Sequence, residues 1–212
     1  MNKAFNWSAF TQIPIVGIVR NLSLDQVRAV LPLYIEAGLN TVEISLATPK
    51  ALDMIKDACR EFGDRLNIGA GTVCTEEELV SSLDAGSQFI VSPITDTHLI
   101  QSCVEQGIPT FPGAFTPTEI YHAWQAGATM VKVFPASLGA QYIKDIKAPF
   151  PDIKLLPTGG VGLDNLAEYK TAGADGFGIA SQLFDKKAIA ADDQAALLTH
   201  FRQYAQFFGR QA

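Results

Sequence analysis

The chain is short of charge, of cysteine and of histidine, and each shortage excludes something. Only 18% of its 212 residues are charged against 48% hydrophobic, the balance of a compact globular protein and not of a disordered one. The net charge is -6 and no basic run occurs, which argues against a nucleic-acid partner. A small anionic ligand must then rely on a few local cations or backbone amides. Cys59, Cys74 and Cys103 are odd in number, widely spaced and without a CxxC pair. That pattern fits free thiols in a reducing cytoplasm, not disulfides or a zinc site. His98, His122 and His200 fall in helical stretches and lack metal-ligand spacing, so no metal is expected. Apolar runs are strand-sized and broken by glycine or proline, which leaves no membrane span, and the opening residues do not read as a signal peptide. Gly69-Ala70-Gly71 begins like a dinucleotide fingerprint, but Cys74 stands where the third glycine belongs, so that motif fails.

The most telling absence is local. Between Arg65 and Lys132 there is no lysine or arginine, and Lys132 then appears inside the apolar strand pattern Met130-Val131-Lys132-Val133-Phe134-Pro135. Desolvation among such neighbours disfavours an ammonium. The neutral amine it favours is a nucleophile that condenses with carbonyl carbon as a Schiff base. The alternative is a lysine at a strand end whose tip snorkels into water.

Helical stretches ending in glycine recur along the chain, at Gly38, Gly63, Gly86, Gly107, Gly127 and Gly173. After each, a strand is predicted: Thr41–Leu46, Leu66–Gly71, Gln88–Ser92, Ile108–Pro112, Thr129–Phe134 and Asp175–Ile179. The gap between Gly127 and Gly173 is about twice the usual period of roughly 20–25 residues. Pro149-Phe150-Pro151 supplies the missing stop, ahead of a strand over Ile153–Leu156. Ser23-Leu24-Asp25-Gln26, Thr75-Glu76-Glu77-Glu78 and Thr116-Pro117-Thr118-Glu119 read as helix-opening capping boxes, and Thr48-Pro49 as a fourth start. With an opening strand at Ile15–Val19, the count is eight βα units. Strict alternation implies parallel strands with helices outside. The expected fold is α/β: a single-domain (β/α)8 TIM barrel over residues 1–212, with an open doubly wound sheet as the alternative. An extra N-terminal helix carrying Phe5, Trp7 and Phe10 is expected to plug the barrel floor.

Chemistry in such a barrel gathers at the C-terminal strand ends. Those positions hold Arg20, Glu43, Thr72, Pro93, Lys132, Thr158, Gly159, Gly160, Gly178 and Ser181. Glu43 is the natural partner of Lys132, because a carboxyl group in an apolar strand, its pKa raised, can shuttle protons near neutral pH. The alternative is a structural ion pair of Glu43 with Lys132 or Arg20. The double glycine after Thr158, with Gly178 and Ser181, occupies the position after strands 7 and 8 that often binds phosphate in barrels, and its bare amides are expected where a helix begins. The alternative is a tight turn only. No histidine is placed to activate Ser92 or Ser181, which disfavours acyl transfer.

Taken together, the segments VEISL around Glu43, GAGTV ending strand 3, VSP at Pro93, FPGAFTPTE, KVFPA at Lys132 and LPTGGV at Thr158 resemble the 2-dehydro-3-deoxy-6-phosphogluconate (KDPG) aldolase family. Its relatives act on the phosphogalactonate epimer (KDPGal) and on 4-hydroxy-2-oxoglutarate (KHG). The resemblance spans nearly the whole chain. It implies a metal-free, cofactor-free class I aldolase that splits a phosphorylated 2-keto-3-deoxy sugar acid into pyruvate and glyceraldehyde 3-phosphate. Lys132 would form the Schiff base and Glu43 would relay protons. Thr72 and Pro93 would line the pyruvate end, and Gly159, Gly160 and Ser181 would hold phosphate. It also implies a homotrimer. One position departs: Ala47 stands where many gluconate-type members carry the arginine of an LRT pattern. Arg20 is similar to the arginine of the galactonate branch, yet Thr158 follows the gluconate pattern. KHG cleavage as the main activity, an epimerase- or decarboxylase-type barrel, and a phosphosugar-binding module without activity are the alternatives.

Overall fold

The computed structural model describes residues 3–209. Its strands are β1 (Ile15–Val19), β2 (Thr41–Ser45), β3 (Asn67–Gly71), β4 (Ile90–Val91), β5 (Thr110–Phe111), β6 (Gly113–Ala114), β7 (Val131–Val133), β8 (Leu155–Pro157) and β9 (Phe177–Ile179). They pair in parallel in the orders β5-β4-β3-β2-β1-β9 and β6-β7-β8. A Thr158–Gly178 bridge joins the end of β8 to β9, and β5 runs directly into β6, so the ring of eight positions closes. The fifth predicted strand, Ile108–Pro112, forms only over Thr110–Phe111, and the run resumes as β6 beyond Pro112, which has no N–H for a ladder bond. The Pro112 carbonyl still accepts from the Lys132 amide at 2.9 Å.

Helices α2 (Leu24–Glu36), α3 (Ala51–Phe62), α4 (Glu76–Asp84), α5 (Thr97–Glu105), α6 (Pro117–Gln125), α7 (Gly139–Lys147) and α8 (Leu166–Thr171) follow successive strands, and α9 (Lys186–Ala190) and α10 (Gln194–Gly209) complete the chain. The three capping boxes form at Ser23, Thr75 and Thr116. The start read at Thr48-Pro49 is displaced. Helix α3 begins at Ala51 after Lys50 in a left-handed conformation, while the buried Thr48 hydroxyl accepts the Asn21 N–H at 3.0 Å. Gly63 also departs from its expected cap, with an ordinary right-handed φ of -59°, whereas Gly38 and Gly86 take φ of 90° and 104°. Among the described residues no helix is long and apolar enough to cross a membrane.

Strand side chains alternate between the two surfaces of the ring. Val42 and Ile44, Ile68 and Ala70, Val131 and Val133, and Phe177 and Ile179 join the core under the outer helices. Their neighbours face inward, where Val16, Phe89, Val91, Phe111, Met130 and Leu156 form a second, smaller core. Phe5 and Phe10 complete it. The N-terminal helix α1 (Trp7–Gln12) therefore plugs the floor as expected, but it covers only six residues, and Phe5 precedes it. Trp7 remains 40% exposed.

Candidate active site

The same alternation that sends Val131 and Val133 outward turns Lys132 inward, and Val42 and Ile44 do the same for Glu43. Both are buried, with Lys132 6% and Glu43 2% exposed. They line one cavity of about 410 Å³ at the C-terminal ends of the strands. Register places Lys132 opposite Gly113 and Leu156, and Glu43 opposite Ile18 and Gly69. Room for the carboxyl group comes from Gly71: a Cβ there would stand 2.5 Å from Glu43 Oε1.

Neither pairing considered for Glu43 forms as an ion pair among the described residues, whether with Lys132 or with Arg20. Glu43 Oε2 is buried without a hydrogen-bond partner among the described residues. Burial pushes the carboxyl pKa above its ordinary range, and the Lys132 charge opposes that only in part. The Lys132 Nζ lies over the Phe134 ring, 5.2 Å from its centroid. A buried acid with a free oxygen and a buried amine share a chamber; they are not locked to one another. That arrangement leaves both able to meet a third, reacting group.

All ten predicted positions line this cavity: Arg20, Glu43, Thr72, Pro93, Lys132, Thr158, Gly159, Gly160, Gly178 and Ser181. Ala47 lies outside it. Thr72 adopts φ 66°, a left-handed conformation costly for a β-branched residue by about 1–3 kcal/mol. Its hydroxyl shares a 2.8 Å hydrogen bond with Ser45 Oγ. Gly178 is dictated by packing, because a Cβ there would overlap Thr158 Oγ1. Gly159 and Gly160 take φ of 98° and 76°, and among the described residues neither N–H has a partner. The helix expected at these amides begins later, at Leu166, so they act as a free turn and not as a helix N-terminus. Ser45, Phe134 and Gln182 also line the cavity and were not anticipated. For the first two the signal was present: each lies two residues beyond Glu43 or Lys132 on the same inward face. Among the described residues no three of histidine, cysteine, aspartate and glutamate gather as metal ligands.

Residues 7–199 match the family described as KDPG and KHG aldolase. The chain belongs to this family. It is similar to the 2-dehydro-3-deoxy-6-phosphogalactonate aldolase of Escherichia coli, 36% identical over 201 residues that cover 92% of this chain and 98% of that one. It is also 34% identical over 165 residues to the 2-dehydro-3-deoxy-phosphogluconate aldolase of Treponema pallidum, covering 76% and 78%. Among solved structures, a native KDPGal structure superposes with a TM-score of 0.82 at 33% identity, over 96% of this chain and all of the other. A KDPG aldolase from Legionella pneumophila, with pyruvate captured as a covalent carbinolamine, gives a TM-score of 0.85 at 26% identity, covering 92% and 95%. The closed ring described above coincides with the fold of these aldolase structures, and the chain is an aldolase of the KDPG and KHG family.

Proposed function

We propose that the protein cleaves KDPG or its KDPGal epimer to pyruvate and glyceraldehyde 3-phosphate, with Lys132 as nucleophile and Glu43 as proton relay. The supporting observation is the shared chamber: an inward lysine and an inward carboxyl group with a free oxygen, both buried. The Lys132 amine adds to the keto carbon at position 2, giving a carbinolamine that loses water to a protonated imine. The Glu43 carboxylate takes the proton from the hydroxyl at carbon 4. The bond between carbons 3 and 4 then breaks, its electron pair flowing into the imine as an enamine, and the aldehyde departs. Protonation of the enamine at carbon 3, followed by hydrolysis, releases pyruvate and the free amine. A raised carboxyl pKa suits a group that accepts and returns protons near neutrality.

Thr72 and Pro93 line the pyruvate end, Thr158 faces the bound chain, and Arg20 supplies the cation that Ala47 lacks. Gly159, Gly160, Gly178 and Ser181 form the phosphate end. We place the enzyme in the cytoplasm as a homotrimer; exposed apolar residues such as Val80, Val104 and Leu138 are compatible with subunit contacts. The deciding experiment is incubation with pyruvate, reduction by borohydride and peptide mass spectrometry. The expected result is one reduced adduct on Lys132, absent from Lys132→Ala. An intact protein without adduct would remove the lyase reading, since neither an epimerase nor a binding module forms one. Cleavage of the two 6-phospho epimers and of KHG, compared side by side, then fixes the substrate; equal rates would demote the phosphate assignment.

A further inference from the structure

Ser45 is the next inward side chain of β2 after Glu43; it lines the cavity and is almost fully buried. The register sets it opposite Gly71, the residue before Thr72. The Ser45 and Thr72 hydroxyl oxygens lie 2.8 Å apart, and the Ala47 N–H donates to Ser45 Oγ at 3.4 Å. Among the described residues neither hydroxyl has a further partner. Each hydroxyl carries one hydrogen and two lone pairs, so counting decides which of the two donates. Were Thr72 the donor, the Ser45 hydrogen would be left without an acceptor, which is costly for a buried group. With Ser45 as the donor, its hydrogen goes to Thr72 and a lone pair takes the Ala47 N–H. The Thr72 hydrogen is then left for the cavity, which Thr72 lines.

A carboxylate only accepts hydrogen bonds, and a bond donated to it is stronger than one between neutral groups. A hydroxyl free to rotate must first be turned toward such a group. One whose oxygen already accepts from a buried neighbour is turned beforehand. Ala47, whose side chain offers no cation, contributes its backbone N–H to this arrangement instead. The left-handed backbone of Thr72 is held at the same place, since the Leu46 N–H donates to the Gly71 carbonyl at 2.8 Å. We infer that Ser45 is a positioning residue, which fixes the Thr72 hydroxyl as a hydrogen-bond donor to the carboxylate of the pyruvate moiety. The inference rests on the lyase reading above.

A double-mutant cycle tests it, reading the pyruvate concentration that half-saturates borohydride trapping, with urea midpoints to check each fold. Ser45→Ala is expected to raise that concentration about fivefold, because Thr72 keeps its hydroxyl and loses its direction. Thr72→Ala should raise it about tenfold or more, as for loss of a hydrogen bond to a charged group. In the Thr72→Ala background, Ser45→Ala should add nothing further. Saturating pyruvate should still trap every folded chain. Ser45→Cys fills similar space with a weak hydrogen-bonding group and should match Ser45→Ala. It also carries the comparison if Ser45→Ala fails to fold. Wild-type half-saturation in folded Ser45→Ala would overturn the inference, and so would effects that multiply in the double variant. Wild-type behaviour in Ser45→Cys would overturn it too, by assigning the effect to packing. In all three cases wild-type protein still traps pyruvate and the lyase reading stands. Absence of the wild-type adduct removes both.

Discussion

At the scale of single residues the site is a problem in solvation. Glu43 is enclosed with one oxygen unpartnered, and the burial that raises its pKa also makes its ionised form costly to the fold. The folded carboxyl group holds its proton more tightly than the unfolded one. Glu43 therefore contributes stability that is complete below the ordinary carboxylate range and is lost as pH rises through the raised folded value. Denaturant midpoints measured from about pH 4 to about pH 8 should fall less with pH in Glu43→Gln than in the wild type. The same variant should lose roughly 10²–10⁴-fold in turnover. Parallel pH profiles of the two midpoints would mean that Glu43 ionises in the fold without penalty. Lys132 and Glu43 were legible in the sequence because charge inside an apolar strand is conspicuous there. Gln182 was not: it follows β9 in a loop, where no strand period says which way a side chain faces.

At the scale of elements, local chemistry decided most boundaries, and long-range contacts decided the exceptions. The capping boxes at Ser23, Thr75 and Thr116 close on side chains three residues away, so sequence alone locates them. Thr48 has the same residue type before a proline. Its hydroxyl is claimed instead by Asn21, 27 residues earlier, and the helix starts later for that reason. The split at Pro112 follows from the missing N–H, while the late start of α8 leaves the double glycine as a free turn. The cap at α6 supports the loop after β6: Glu119 accepts from the Phe115 and Thr116 amides at 2.9 and 2.7 Å, which holds its pKa below the ordinary value. Thr116→Ala removes the reciprocal bond to the Glu119 amide and should cost about 0.5–2 kcal/mol in urea unfolding. Thr116→Ser should restore most of that. Equal losses in both variants would assign the effect to the methyl group and not to the cap.

Over the whole molecule the interior of the ring is graded. In several inward columns an apolar residue lies below a cavity-lining one: Val16 below Ile18 and Arg20, Phe89 and Val91 below Pro93, Met130 below Lys132, and Leu156 below Thr158, whereas in β2 and β3 the buried Thr41 and Asn67 take the lower place. The strand period fixes this gradient, since every second residue faces inward whatever its chemistry. What it leaves open is the bottom of the ring, and the N-terminal segment closes that. Phe10 is 1% exposed and packs 6.1 Å from Phe111 and 5.6 Å from Phe5, ring centre to ring centre. The plug therefore belongs to the same continuous core that keeps water from beneath the amine. Phe10→Ala should cost about 3–5 kcal/mol in urea unfolding. Trp7→Ala, at a half-exposed ring 4.5 Å from Phe5, should cost only about 0.5–1.5 kcal/mol. If the two losses were equal, or the Trp7 loss larger, the N-terminal segment would be a surface strap and the floor would have to be sealed by the strand side chains alone.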